Sequence, residues 1–209
     1  MEGGSSVNHN RKELNLHLGC FDQILEGWIN TDITPHLFIS CVPGCRFIFF
    51  KLGILSEERY KQHQTGIFRK VHYLNVKKRF PYPTESVDYV YISHLINNLD
   101  PPDGTFCLRE VYRVLKRGGR TRIVVPDLDK FIENYDRQHS ELFLDKIFEA
   151  KEKWNKNRQH WHYNEISLSR LLREVGFGKV CRCSFRQGRV PDVDKIEIRP
   201  DSLFMEAVK

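Results

Sequence analysis

Short apolar runs alternate with polar stretches along the chain, and most of the runs have the two-residue period of β-strands. Strands are predicted over 14–18, 27–33, 71–76, 87–93, 120–126, 179–185 and 201–208. Helical spacing predicts helices over 103–116, 128–135, about 140–153 and 167–177. Asp127 and a serine are the expected N-caps of the second and last of these helices, and Gly118-Gly119 and Gly176 the expected ends of the first and last.

Strands separated by helices predict a doubly wound α/β fold, with a mostly parallel sheet and helices on both faces. The last two strands have no helix between them, which predicts one antiparallel strand at or near an edge. The pattern indicates a single domain over 14–209, preceded by a polar leader, 1–13, that we expect to be mobile.

One stretch, 34–70, does not follow the alternation and is interpreted as an insertion. Its apolar part, LFISCVPGCRFIFFKLGIL (37–55), is interrupted by Pro43-Gly44, Arg46, Lys51 and Gly53, too often for a regular membrane-spanning helix. A core helix, a lid over a pocket, a dimer surface and a helix lying on a membrane surface all remain open.

The composition is that of an ordinary soluble globule, with 40% hydrophobic and 29% charged residues in 209. The polar start does not resemble a signal peptide, so we expect a cytoplasmic protein. The six cysteines lack zinc-site spacing and are expected to be unpaired thiols. His160 and His162 are expected to share one face of a strand, but no third ligand is evident, and no metal is predicted.

The net charge of +6 is concentrated in VKKRF (76–80), KRGGRTR (116–122) and KEKWNKNR (151–158). Such clusters serve nucleic-acid binding, but also helix ends and solvated helix faces. The charge is compatible with an anionic substrate and does not by itself identify one.

Candidate chemistry follows the ends of the predicted parallel strands, where doubly wound sheets bind ligands. Gly19 allows a ligand close to the backbone, and Asp32 is placed to accept hydrogen bonds from two ribose hydroxyls. The Asn75 side-chain carbonyl is expected to accept a hydrogen bond from the exocyclic amine of adenine, and Ser93-His94 end the fourth strand. Their common order along one sheet is what favours a nucleotide-type pocket.

The segments LHLGCFDQILEGWINTDI, RFPYPTESVDYVYISHLINNL, LREVYRVLKRGGRTRIVVPDLDKF and HWHYNEISLSRLLREVGF resemble a family of predicted S-adenosylmethionine-dependent methyltransferases. This family is class I and type 11-like, and it is often linked to surface-glycan biosynthesis. The resemblance implies a Rossmann-like fold with S-adenosylmethionine as cofactor. It implies a cofactor site formed by Leu18, Gly19, Cys20, Phe21, Asp32, Asn75, Val76, Ser93 and His94.

Within that site the first four residues would line the methionine part, Asp32 would hold the ribose, and Asn75 with Val76 would flank the adenine. Ser93 and His94 would face the methyl group and the acceptor. His94 is the candidate catalytic base, with support of the strand end as the alternative.

Four positions depart from the family pattern. Phe21 stands where a second glycine is expected, Asn75 replaces an aspartate, and Asn97 and Asn98 replace a Glu-His pair. The chain is therefore either a divergent enzyme or a catalytically silent protein that keeps the fold.

The leading interpretation is methyl transfer to a hydroxyl of a small-molecule or glycan-linked acceptor. The alternatives are a silent binding protein, an RNA-directed methyltransferase and, last, a nicotinamide dehydrogenase, whose G-x-G-x-x-G fingerprint is absent. A lipid-linked glycan is expected if 37–55 lies on a membrane. Trp161 and Tyr163 are a second candidate acceptor wall, and a homodimer is left open.

Overall fold

A computed structural model describes residues 13–148 and 160–209. Most of the predicted leader, the basic cluster 151–158 and the end of the predicted helix 140–153 lie outside the described residues. Within them, no helix is long and apolar enough to cross a bilayer.

The described strands form one sheet of seven, in the order β3-β2-β1-β4-β5-β7-β6. Strands β1 to β5 are parallel, and β7 runs antiparallel to both β5 and β6. The predicted doubly wound sheet with an antiparallel strand next to an edge is confirmed. The strands are β1 Asn15–Leu18, β2 Ile29–Asp32, β3 Val71–Tyr73, β4 Val87–Ser93, β5 Leu115–Pro126, β6 Lys179–Cys183 and β7 Ser202–Val208.

Helices occupy most of the predicted places, but they do not cover the two faces equally. α4 and α7 pack on one face through a cluster that includes Leu108 and Leu172. The other face is covered by short segments that carry Trp28, Val193 and Ile196. The helices are α1 His36–Cys41, α2 Cys45–Lys51, α3 Glu57–Thr65, α4 Pro101–Val114, α5 Leu128–Glu133, α6 Ser140–Phe148, α7 Glu165–Val175 and α8 Val193–Ile196, with 3-10 helices at Ile67–Lys70, Ile96–Asn98 and Arg137–His139.

The connection from β1 to β2 differs from the usual strand–helix–strand unit. Residues 19–28, all within the described part of the chain, form turns and no helix. The Asn30 side chain holds this connection, because its amide donates to the Leu25 and Trp28 carbonyls and its oxygen accepts from the Leu25 N–H. Trp28 is buried and donates to Asp192, so the indole covers part of the sheet that a helix covers elsewhere.

Several predicted boundaries are wrong. α4 ends at Val114, and Gly118-Gly119 belong to β5. A Cβ on Gly119 would lie 2.8 Å from the Lys116 carbonyl oxygen of the same strand and 3.0 Å from that of Asp88 on β4, so this glycine permits close backbone approach at an irregularity of the sheet. β3 is also shorter than predicted. Asp127 caps α5 and Gly176 ends α7 as predicted, but the cap of α7 is Asn164, with Ser167 completing a capping box.

The insertion forms α1, α2, α3 and the 3-10 helix Ile67–Lys70 beside the β3 edge of the sheet. It is not a core helix. Leu37, Leu55, His63 and Phe68 are buried, whereas six of its large apolar side chains are exposed and others are half-buried.

Candidate functional site

The predicted site residues lie in one row at the carboxyl ends of four neighbouring parallel strands. Gly19 follows β1, Asp32 ends β2, Asn75 lies just beyond β3, and Ser93 ends β4 with His94 after it. The chain leaves β1 toward β2 and β3 and returns to β4 on the other side. The row therefore spans the point where the strand order reverses, which is the usual ligand position in such sheets.

The turn after β1 depends on Gly19. This residue has φ +68°, and an added Cβ would lie 3.1 Å from Leu95 Cδ1. Conformation and space therefore both favour glycine. The N–H groups of Gly19 and Cys20 donate to the Thr31 carbonyl at 2.8 and 3.0 Å, so these two donors hold the turn against β2. Leu18 and Cys20 are buried below it.

Phe21 adopts φ +48°, a left-handed conformation that suits the glycine expected there. Its ring meets His36 and Phe68 edge to face, at centroid distances of 5.8 and 6.1 Å. The Arg59 guanidinium lies 4.5 Å from the ring centroid. The benzyl group is thus packed against the insertion. Its position is decided by residues of 34–70, which lie far from the turn in the sequence.

Asp32 is held firmly while keeping acceptor capacity. One oxygen accepts from the Phe21 N–H at 2.9 Å and the other from the Thr34 N–H at 2.7 Å. A carboxylate has about four lone-pair positions, so each oxygen keeps one for a further donor. The side chain is half-buried, which leaves it accessible to a ligand hydroxyl.

Beyond β3, the Asn75 side-chain oxygen accepts from the Lys77 N–H at 3.0 Å and shapes the turn. Its amide N–H groups have no acceptor among the described residues. The Val76 side chain is buried in the core, so its backbone is the part that remains available to a ligand.

Two exposed side chains beside Asp32 were missed by sequence reasoning. Ile33 follows Asp32 directly, and Tyr73 on β3 is the register partner of Asp32. They are 56% and 59% exposed, and Tyr73 lies on the edge strand of the sheet. Together they offer a flat ring an apolar surface next to the carboxylate. The signal was present as the apolar residue after the strand-ending acid.

His94 lies at φ +49° after β4, and its N–H donates to the Val124 carbonyl. Its Nε2 is 3.2 Å from Ser202 Oγ, the first residue of β7. Burial, with the charge of Arg199 second, lowers the pKa of His94 to about 4. The imidazole is therefore neutral at neutral pH and can accept a proton. Its low pKa makes it a weak base.

Asn97 and Asn98 form part of the site's support. Asn97 donates to the Asn98 side-chain oxygen, and Asn98 donates to the His94 carbonyl at 2.9 Å. The Asn97 carbonyl accepts from the N–H groups of His160 and Trp161. The asparagine side chains thus hold the His94 turn, and the backbone of Asn97 connects it to the HWH segment, where Trp161 is half exposed.

The HWH segment is not the predicted strand. His160 pairs with Asp100 at 2.9 Å, whereas His162 Nε2 contacts the Ile147 carbonyl. The two rings have different partners, and the described residues contain no cluster of three or more metal-binding side chains. The cysteines are all free thiols, as predicted.

A polar cluster that joins the insertion to the turn was also missed. Arg59 of α3 pairs with Asp22 at 2.7 Å, and Gln62 donates to the same carboxylate oxygen at 3.0 Å. Behind it, His36 Nδ1 and His63 Nε2 are 2.9 Å apart. These contacts join residues 27 to 40 positions apart, a separation that no local pattern shows.

Three histidines, of which His17 and His63 are buried and His94 is half-buried, predict acid sensitivity. Burial lowers the pKa of His17, His63 and His94 to about 4, with His36 and Arg46 adding to the effect at His63. The unfolded chain takes up these protons near pH 6.5 and the folded chain only near 4, so stability falls as pH drops through this range. For fully buried His17 the expected slope is about 1.4 kcal/mol per pH unit.

Urea denaturation at a series of pH values measures this slope. In His17→Gln the slope should decrease by that amount, since one titrating group is removed. A wild-type free energy of unfolding that stays constant between about pH 6.5 and 4 would contradict the expectation.

A shallow apolar groove lies between α5 and α6, lined by Ile132, Tyr135, Ser140, Phe143 and Leu144. These helices carry none of the predicted site residues. The row at the strand ends, where acceptors and carboxylate converge, is the better candidate for chemistry.

Comparison with known proteins agrees with this fold. Residues 54–123 match the family model described as "Methyltransferase domain". The matched segment begins after the Gly19 turn and Asp32. The ubiquinone/menaquinone biosynthesis C-methyltransferase UbiE of Xanthomonas campestris pv. campestris is 30% identical over 144 residues, covering 64% of this chain and 54% of that protein. The same protein of Xanthomonas oryzae pv. oryzae matches equally.

The chain thus spans about half the length of the curated relatives it matches. Among solved structures, a SAM-dependent methyltransferase from Archaeoglobus fulgidus aligns with a TM-score of 0.55 at 16% identity, covering 94% of this chain and 86% of the other. One from Methanosarcina mazei aligns with a TM-score of 0.52 at 15% identity, covering 97% and 95%. At these identities the structures show the shared fold. The fold, the family match over 54–123 and the curated relatives agree that the chain is similar to methyltransferases, and the solved structures that share its fold are S-adenosylmethionine-dependent ones.

Proposed function

We propose that the protein transfers a methyl group from S-adenosylmethionine to a hydroxyl of a small-molecule or glycan-linked acceptor. The observation that carries the proposal is the row of Gly19, Asp32, Asn75 and His94 across the point where strand order reverses. Bound there, the cofactor supplies a methyl group already activated on sulfur, so the protein's task is mainly positioning.

The residues present fit this cofactor. Asp32 has spare acceptor positions for two ribose hydroxyls, and the Asn75 amide has free donors. Ile33, the next residue, and Tyr73, the register partner of Asp32, are exposed apolar side chains. Gly19 keeps the turn free of a side chain, and the Phe21 ring is engaged by the insertion.

The acceptor is assigned to the side of the row formed by His94, Ser202 and Trp161. In our proposal the neutral His94 would accept the proton of the acceptor hydroxyl at Nδ1, the ring nitrogen that does not face Ser202, and the bound cofactor would supply the methyl group. The low pKa of His94 makes it a weak base, which suffices because the proton is lost more readily as the new bond forms. Ser202 fixes the ring through Nε2.

The RNA-directed alternative receives little support from the cluster 116–122. Lys116 pairs with Asp88 at 2.6 Å, Arg117 faces Glu85 at 3.5 Å, and Arg122 is buried. Lys116 and Arg122 are therefore engaged within the fold, which leaves Arg117, 90% exposed, and Arg120 of this cluster for a phosphate. A cytoplasmic location remains part of the proposal, supported by the free thiols.

Titration calorimetry with S-adenosylmethionine, and separately with S-adenosylhomocysteine, tests the proposal. Micromolar binding of both is the expected result. Failure of both to bind at millimolar concentration would overturn it. Mass spectrometry of acceptor mixtures then separates a transferase from a silent binding protein. It also separates a methylated oxygen from a methylated carbon, the acceptor atom for which the curated relatives are named.

A further inference from the structure

Helices α1 and α2 present a set of large apolar side chains to solvent. This apolar face consists of Phe38, Val42, Phe47, Ile48, Leu52 and Ile54. Each is between 52% and 66% exposed, whereas α4 and α7 bury their apolar residues against the sheet. A contiguous sequence segment with this much exposed apolar surface marks a site of interaction.

The charges of this segment have one sign. No aspartate or glutamate occurs from 33 to 56, and its two cationic residues are Arg46 and Lys51. Lys51 Nζ lies 5.6 Å from the Phe47 ring centroid, so the ammonium lies beside the apolar surface. Arg46 donates to the His63 carbonyl, and neither cation has a carboxylate partner among the described residues. The apolar face is therefore bordered by unneutralised positive charge.

We propose that the apolar face docks on an anionic membrane surface. Its aromatic and aliphatic side chains would enter the boundary between headgroups and acyl chains, and Lys51 would reach the lipid phosphates. A second copy of the chain fits less well, because a symmetric contact brings the cations of both copies together and the face holds no carboxylate to pair with them.

The apolar face lies close to the candidate cofactor row. The Phe38 ring centroid is 6.3 Å from that of Tyr73, the register partner of Asp32. Docking would hold the candidate cofactor row close to the lipid headgroups. Given the proposed function, the favoured acceptor is then a glycan or other hydroxyl compound carried on a lipid.

Vesicle flotation tests the docking without any cofactor. The full chain is mixed with phosphatidylcholine vesicles that contain or lack phosphatidylglycerol. Binding is expected with the anionic vesicles, and higher salt should weaken it. Phe47→Ser combined with Leu52→Ser should lower the partition coefficient about tenfold or more. Lys51→Ala should lower it about fivefold on anionic vesicles only.

The matched control is Ile166→Ser combined with Ile198→Ser, which removes two equally exposed apolar residues elsewhere and should leave binding unchanged. Exposed positions were chosen so that both double variants fold. The proposal is overturned if the protein binds neither vesicle type. It is equally overturned if the apolar-face variant binds like the control, or if it instead dissociates a dimer seen by light scattering. Calorimetry with the cofactor remains a separate measurement, so failure of docking and failure of the proposed function are distinguishable.

Discussion

Asp32→Ala is expected to lower the affinity for S-adenosylmethionine by roughly a hundredfold. The carboxylate is the charged acceptor of the row, and hydrogen bonds from two hydroxyls to a charged group are worth about 3 kcal/mol together. The same carboxylate also holds the Phe21 and Thr34 N–H groups. The substitution therefore loosens the turn as well as removing the ligand's partner, and calorimetry measures the combined loss.

Two controls separate these contributions. Asp32→Asn keeps one acceptor oxygen and should retain part of the affinity. Asp22→Ala removes a carboxylate from the same turn, but that carboxylate faces Arg59 and Gln62 of the insertion. We expect Asp22→Ala to bind the cofactor within a few-fold of the wild type. Equal affinity of Asp32→Ala and wild type would remove Asp32 from the site.

Arg122→Met should be the most destabilising single change, by about 3–5 kcal/mol. Arg122 on β5 is fully buried. Its Nε is 2.7 Å from Glu197 and its Nη1 is 3.7 Å from Glu206, both also buried. Without the guanidinium, two carboxylates would share one dry site, and at neutral pH that state is costly. Urea denaturation at pH 7 measures the change.

The mechanism of this loss can be checked. Adding Glu197→Gln to Arg122→Met removes one uncompensated charge and should recover part of the stability. Lys61→Met breaks the exposed Lys61–Glu57 pair and should have no measurable effect. A loss below about 1 kcal/mol in Arg122→Met would show that the buried charges are neutralised in another way.

Strands and their ends were accessible from sequence because the alternation in the runs 14–18 and 87–93 is typical of strands, although the structure buries both faces of β1. Once the strands are placed, parallel pairing brings Gly19, Asp32 and His94 to one edge without further information. That is why the order of the site residues along the sheet was predictable from a single chain.

Other features depend on contacts between distant residues. The direction of the Phe21 ring is decided by Arg59 and Phe68, and the position of Asp22 by α3. Hydrophobicity alone does not predict burial in the insertion, since an apolar residue such as Leu52 is 66% exposed. Asn164 and Ser167 are both good caps, and the sequence places them three apart without telling which one begins the helix.

The turns between β1 and β2 bear on the electrostatics of the ligand. Sheets that bind dinucleotides place the pyrophosphate at the start of a helix after the first strand, where aligned peptide dipoles favour anions. Residues 19–28 of the described chain provide no such helix, and the N–H groups of Gly19 and Cys20 already donate to Thr31. The charged group at this position is the Asp32 carboxylate at the end of β2, which is negative. This end of the sheet therefore disfavours a phosphate and suits a ligand whose charge next to the ribose is positive, as it is on a sulfonium.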